Sequence, residues 1–242
     1  MSLRDFVSEI SDVLFPPLCL ACRRVVQSVP PAVFCANCLD RITFLTGSLC
    51  PVCGVLFPDS PAGDHVCGAC LASPPFFDRA RAAVVYEGII ADTIHRFKYG
   101  RDLSTGGALA RFLAECPFDD LDWHRCDAVL PVPLHKKRLR ERGFNQSLLL
   151  ARALGRKYGI AVDFSLLKRR KFTLTQTGLT RQEREKNIKG AFETARPGQI
   201  ADKNLILVDD IYTTGATVNE CARILKHSGA ADVAVVTLAR VI

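Results

Sequence analysis

Residues 205–217 read Leu-Ile-Leu-Val-Asp-Asp-Ile-Tyr-Thr-Thr-Gly-Ala-Thr. An apolar stretch of strand composition, 205–208, runs into two adjacent acids, Asp209 and Asp210. Thr213, Thr214, Gly215, Ala216 and Thr217 follow, and residues 217–227 then show helical periodicity. Backbone amides at a helix N-terminus, joined by threonine hydroxyls, form a seat for a phosphate dianion, and a glycine there lets the main chain approach the oxygens. Two acids aimed at that phosphate would repel it. Turned aside at the strand end, they accept hydrogen bonds from vicinal hydroxyls, as on a ribose, or anchor Mg²⁺ through water. A strand followed by a Thr-capped helix would explain Thr214 or Thr217 alone, but not the acid pair and the Thr-Thr-Gly-x-Thr run together. The stretch predicts a site for a phosphorylated ribose.

A second chemistry lies upstream. Eight of eleven cysteines form four Cys-x-x-Cys pairs, Cys19/Cys22, Cys35/Cys38, Cys50/Cys53 and Cys67/Cys70, separated by 12, 11 and 13 residues. Each pair presents two thiolates on one side of a tight turn, and two pairs complete a closed, tetrahedral Cys₄ zinc site. Gly54 and Gly68 fall where such a turn favours a residue without Cβ strain. A disulfide framework would want an oxidising compartment, and a thioredoxin-like site needs one Cys-x-x-Cys opening a helix in a βαβ unit. The spacing therefore predicts two structural zinc ions, with consecutive and cross-braced pairing both open, and a module suited to docking rather than catalysis. His65, two residues before Cys67, reads as a bystander. Cys116, Cys126 and Cys221 lack partners at ligand spacing and read as small core residues.

These sites need elements to hold them. A boundary is expected at Ser73-Pro74-Pro75, dividing a cysteine-rich region, residues 1–75, from a larger domain, residues 76–242. Beyond it, strand-like runs at 81–87, 128–133, 205–208 and 233–238 alternate with helical patterns at 89–97, 107–116, 147–157 and 217–227. Alternation of this kind predicts an α/β domain with a mainly parallel sheet, binding ligands at the carboxyl ends of its strands. At the N-terminus, Leu3, Phe6, Val7, Ile10, Val13 and Leu14 repeat with helical spacing, predicting an amphipathic helix rather than a signal peptide. The chain has no apolar run near the roughly 18–20 residues that span a bilayer. With 48% hydrophobic and 24% charged residues over 242 positions, the expectation is a folded cytoplasmic protein.

The 205–217 run resembles the phosphoribosyl pyrophosphate signature of type I phosphoribosyltransferases. Further segments are similar to the ComF family: Pro131-Val132-Pro133-Leu134, then Arg138 to Ser147 with its Arg-Gly-Phe-Asn-Gln core, and Gln176-Thr177-Gly178-Leu179 through Arg181, Asn187 and Gly190-Ala191-Phe192. The residues around His95 and Lys98-Tyr99-Gly100-Arg101 also resemble a ComF segment. The four cysteine pairs resemble the double zinc ribbon of the longer, GntX-like members. The resemblance implies a type I phosphoribosyltransferase-like fold preceded by a small double zinc ribbon. It implies that Asp209 and Asp210 bind the ribose hydroxyls as the catalytic acids, with Mg²⁺, and that Thr213, Thr214, Gly215, Ala216 and Thr217 cradle the 5′-phosphate. By the same resemblance the basic loop after residue 133 holds pyrophosphate, with Lys137 and Arg138 as candidates, while Arg142, Asn145 and Gln146 either share that role or brace the loop. Residues 175–187 read as a lid hinged at Gly178, with Arg181 and Arg184 as charge donors over a departing pyrophosphate, or as spectators if residues 182–189 form a simple exposed helix.

The net charge of +7 is concentrated. Thirteen lysines and arginines, against three glutamates, fall in residues 135–142 and 166–189, which suits a phosphate-rich partner. Three functions follow. One is a competence factor, as the ComF resemblance implies, acting in DNA uptake and natural transformation through single-stranded DNA and a helicase-like partner docked on the ribbons. Another is an active phosphoribosyltransferase with an unassigned acceptor. The third is a zinc-dependent adaptor whose ribose site is vestigial.

Overall fold

The computed structural model describes residues 16–26, 32–58, 63–100, 102–173 and 180–242. The expected N-terminal helix, residues 3–14, lies outside these residues, as does Gly178. Two helical turns, α1 (Ala36–Leu39) and α2 (Gly68–Ala72), each start at the first cysteine of a pair. Then come β1 (Arg79–Val85), α3 (Gly88–Tyr99), α4 (Leu103–Glu115), β2 (Ala128–Pro131), α5 (Lys136–Arg142), α6 (Gln146–Tyr158), β3 (Leu167–Arg169), α7 (Arg181–Ile188), β4 (Phe192–Thr194), β5 (Asn204–Tyr212), α8 (Ala216–His227) and β6 (Asp232–Arg240).

Four strands form one parallel sheet in the order β1-β6-β5-β2, and β3 and β4 form a separate antiparallel pair. The sheet is buried on both faces, so its central strands carry unbroken apolar runs, residues 205–208 in β5 and 233–236 in β6, rather than alternating with polar residues. In β5, Ile206 and Val208 enter one core while Leu205 and Leu207 enter the other. The first core contains Leu109 and Leu113 of α4 and Leu150 and Leu154 of α6; the second contains Val218, Cys221 and Leu225 of α8. Local caps fix where the helices begin. The Asp102 carboxylate accepts from the Ser104 and Thr105 amides at the start of α4, and the Asn145 side chain accepts from the Ser147 amide at α6.

The ribbons are built into these cores. Cys19, Leu20, Phe34, Cys38 and Ile42 belong to the first core, and Cys50, Cys53 and Cys70 to the second. The segment between them runs beside β1: the Leu45 amide donates to Ala83 O at 3.1 Å and the Val85 amide to Thr43 O at 2.8 Å. Phe34 meets Phe112 of α4 edge-on, with ring centroids 5.2 Å apart. A cysteine-rich module too small for its own core thus borrows apolar surface from both sides of the sheet.

Three local expectations change. Strand β5 does not stop before the acids but continues to Tyr212, because Asp209, Ile211 and Tyr212 keep their register with Thr237, Ala239 and Arg240 of β6. The basic stretch after residue 135 is helix α5, with no buried residue and so no apolar periodicity to betray it. The strain argument applies to Gly54 but not to Gly68. Gly54 has φ +68°, and a Cβ there would lie 2.4 Å from Ala80 O, whereas a Cβ on Gly68 meets nothing within 4 Å. Gly54→Ala is therefore expected to destabilise the zinc-loaded protein by more than about 1 kcal/mol, while Gly68→Ala leaves it unchanged. Paired thermal unfolding curves check this, and equal melting temperatures for the two variants would refute it.

Candidate functional site

The carboxyl ends of β5 and β6 open into a cleft of about 810 Å³. Asp209, Asp210, Thr213, Thr214, Gly215, Ala216 and Thr217 all line it, so the structure gathers the whole expected acid pair and phosphate loop on one wall. Gly215 makes the turn from strand to helix: it takes φ +77° and is the N-cap of α8, a conformation that side-chain-bearing residues rarely adopt. The first amide of α8, on Ala216, lies 3.4 Å from Thr214 Oγ1.

The acids do not stand alone. Asp209 Oδ1 accepts from Ser147 Oγ and from the Asp210 amide, each at 2.9 Å. Asp210 Oδ2 pairs with Lys98 Nζ at 3.0 Å. Lys98 comes from the last turn of α3 and Ser147 from the first turn of α6, so two helices aim polar groups at one strand end. Burial first, and then the charge of Asp210, pushes the Asp209 carboxyl up to about 7, against the pull of Lys98 and Ser147.

Arg138, Arg142, Arg169 and Arg184 bring positive charge to the same cleft. An Arg138 Nη also donates to Thr173 O at 3.3 Å. Arg142 Nη1 donates to Gln146 Oε1 at 3.0 Å, and the Asn145 amide group donates to Val132 O at 3.1 Å. Both thus brace the loop, while Arg142 and Gln146 also face the cleft. Gln146 is 1% exposed, yet its Nε2 has no hydrogen-bond acceptor among the described residues. Such a donor in a cleft wall fits a ligand oxygen. Lys137 is not brought into the cleft; its Nζ sits 4.6 Å from the Phe172 ring centroid. Arg181 begins α7, and its side chain lies outside the described residues.

Arg169 and Lys98 had no role assigned from the sequence. Arg169 belongs to a three-residue strand, too short for periodicity to reveal which of four consecutive basic residues points inward. Burial, and then the charge of Arg138, lowers its pKa, as expected where cations crowd together. Lys98 lies on α3, more than a hundred residues from the acid it meets. His95, Tyr99 and Tyr86 line the cleft beside it.

The cysteines form two sets, Cys19, Cys22, Cys35 and Cys38, and Cys50, Cys53, Cys67 and Cys70, with the sulfurs of each set within 4.8 Å of one another. Pairing is consecutive. Four thiolates on Zn²⁺ with Zn–S bonds of about 2.3 Å would stand about 3.8 Å apart, and Cys22–Cys35 and Cys53–Cys67 each lie at 3.6 Å. Burial raises the Cys19 and Cys50 thiols, but neighbouring backbone amides outweigh it and bring each to about 6, readying thiolates for metal. The donor sets fit two structural zinc ions with no open coordination position. His65 stacks on Phe57 at 3.9 Å between ring centroids. Burial pushes the Cys116 thiol to about 12 and the Cys126 thiol to about 11, as inert core residues require.

The raised Asp209 pKa has a stability consequence. The native carboxyl keeps its proton to about pH 7, whereas the unfolded one releases it near pH 4. Between these values the native state holds the extra proton, so stability falls as pH rises and the cost is complete above pH 7. Asp209→Asn is expected to remove this slope, and its melting-temperature advantage over the parent should grow from pH 5.5 to pH 8. Equal differences at both pH values would overturn the assignment.

Residues 10–71 match the double zinc ribbon domain family and residues 145–242 the phosphoribosyl transferase domain family. The chain is 35% identical over 236 residues to the DNA utilization protein YhgH of Escherichia coli, covering 93% of this chain and 97% of that one. It is 31% identical to Competence protein F of Haemophilus influenzae, covering 92% and 90%, and 29% identical to Competence protein ComFC of Bacillus subtilis, covering 87% and 85%. No helix among the described residues is long and apolar enough to cross a membrane. These relatives cover almost the full length of the chain, its ribbon and transferase regions together, and the chain belongs to the ComF family.

Proposed function

We propose that the chain binds phosphoribosyl pyrophosphate, or ribose 5-phosphate, together with Mg²⁺, and serves in the uptake or use of incoming DNA. The carrying observation is one cleft with three adjoining chemistries: a glycine-capped helix N-terminus, an acid pair and a group of arginines. The amides and hydroxyls of residues 213–217 take the 5′-phosphate, where the partial positive charge of α8 favours a dianion. Asp209 and Asp210 accept the 2′- and 3′-hydroxyls, and Arg138, Arg169 and Arg184 hold the pyrophosphate. Asp209 and Asp210 would hold Mg²⁺ beside the pyrophosphate, where it would supply positive charge that the arginines do not reach.

The relatives' names, DNA utilization protein and competence protein, support a DNA-handling role for this chain. Its concentrated basic segments suit single-stranded DNA, whose binding would weaken with salt as counterions are released. The ribbons suit a helicase-like protein partner, and a chain with these activities would work in the cytoplasm. In this reading residues 1–75 act as the docking module and 76–242 as the ligand-binding module.

A second reading, turnover, is favoured by the arginines lining the cleft with the acid pair. They would stabilise pyrophosphate as it leaves C1 of a ribose with oxocarbenium character, with Arg181 and Arg184 on α7 closing over it. Its mark is pyrophosphate release with a nucleobase, ammonia or an amine.

Calorimetric titration of phosphoribosyl pyrophosphate with and without Mg²⁺ tests the binding claim. Asp209→Ala/Asp210→Ala removes two charge-assisted hydrogen-bond acceptors and is expected to weaken binding at least about tenfold. Equal affinity in parent and double variant would sink the proposal.

A further inference from the structure

Two buried arginines tie the second ribbon to the sheet. Arg81 of β1, 8% exposed, places Nη1 3.4 Å from Cys50 O and 3.3 Å from Pro51 O. Arg240, at the end of β6 and also 8% exposed, donates from Nη1 to Cys53 O, and its Nη2 lies 3.8 Å from Cys53 Sγ. Arg240 also reaches the phosphate loop. Its guanidinium carbon lies 4.3 Å from the Tyr212 ring centroid, and Arg240 and Tyr212 are register partners across β6 and β5. The Val241 amide closes that pairing on Tyr212 O at 2.9 Å.

Tyr212 carries the stack onward. A Cβ built on Gly215 would fall 2.4 Å from the Tyr212 hydroxyl oxygen and 2.6 Å from Cζ, so the left-handed residue of the phosphate loop rests directly on this ring. Tyr212 is 8% exposed and Gly215 is buried. From Cys53 to Gly215 each step is a contact between buried groups. The first ribbon leads elsewhere: its Leu20 carbonyl accepts from Arg96 of α3, and its apolar residues pack in the other core.

We propose that Arg240 and Tyr212 are positioning residues through which the metal-loaded second ribbon sets the phosphate-loop geometry, coupling that zinc site to 5′-phosphate binding. The inference rests on the ribose-phosphate reading of the cleft. Zinc on Cys53 fixes the knuckle whose carbonyl accepts from Nη1 of the buried guanidinium. A knuckle released from metal leaves that charge without its acceptor, a costly state relieved by moving the arginine. Tyr212 then loses its stacking partner, and the floor beneath Gly215 shifts. Pyrophosphate recognition does not share this path, because Arg138, Arg169 and Arg184 stand on other elements.

The test uses the zinc-loaded full chain and two probes, ribose 5-phosphate and pyrophosphate, titrated calorimetrically. Arg240→Met is expected to weaken ribose 5-phosphate about tenfold while pyrophosphate stays within about twofold, and Arg240→Lys, which keeps a cation and a donor, to recover most of the loss. Coupling is reciprocal, so ribose 5-phosphate should slow chelator-driven release of one of the two zinc ions in the parent, and of neither in Arg240→Met. If Arg240→Met fails to load its second zinc, Tyr212→Leu, which leaves the knuckle's own contacts in place, should show the same selective loss. Parent-like ribose 5-phosphate affinity, equal losses for both probes, or zinc release indifferent to the ligand would each overturn the coupling. A parent that binds neither probe would instead refute the ribose-phosphate reading, and the coupling with it.

Discussion

Two adjacent carboxylates at the end of a buried parallel strand repel each other and lose hydration together, and much of the architecture answers that cost. Lys98 neutralises Asp210, while Ser147 and a backbone amide satisfy Asp209. Lys98 and Ser147 come from α3 and α6, so one helix must end and the other begin beside this strand end. Helix α3 is held there in turn by Phe97, Ile90 and Ile94 in the core and by the Arg96 contact to the first ribbon. Asp209 still retains its proton to about pH 7. The acid pair is therefore less than fully compensated by the protein's own donors.

Cysteine clusters and cleft are one construction problem. Each ribbon contributes cysteines to a different face of the same sheet, so zinc binding and burial of the sheet's apolar side chains are parts of one folding event. The first ribbon braces the helix that carries Lys98, and the second lies against Arg240, which packs on Tyr212 beneath Gly215.

What the sequence revealed and what it hid follow from the range of the interactions. The cysteine pairs, the acid pair and the Thr-Thr-Gly-x-Thr run were readable because their chemistry demands fixed residue types at short spacing. The four parallel strands were readable because burial on both faces leaves an apolar record. Arg169, Lys98 and the unpartnered Gln146 amide became visible only in three dimensions, since each depends on elements remote in the chain. Helix α5 was missed because a helix with no buried residue carries no periodic apolar signature. The end of β5 was misplaced because its last pairs are set by β6, not by its own composition. Consecutive pairing of the cysteines likewise required the fold.

The cover over β1 has a bearing on how this protein meets others. Residues 43–45 occupy the outer side of β1, and Val162 bridges to Val129 on the outer side of β2. Both margins of the parallel sheet thus already spend their amides and carbonyls within the chain. Recognition by strand addition, which needs an open margin, is closed to it at the sites of these contacts. A partner arriving there must read side chains, and specificity at that surface is then written in residue identity rather than in backbone geometry.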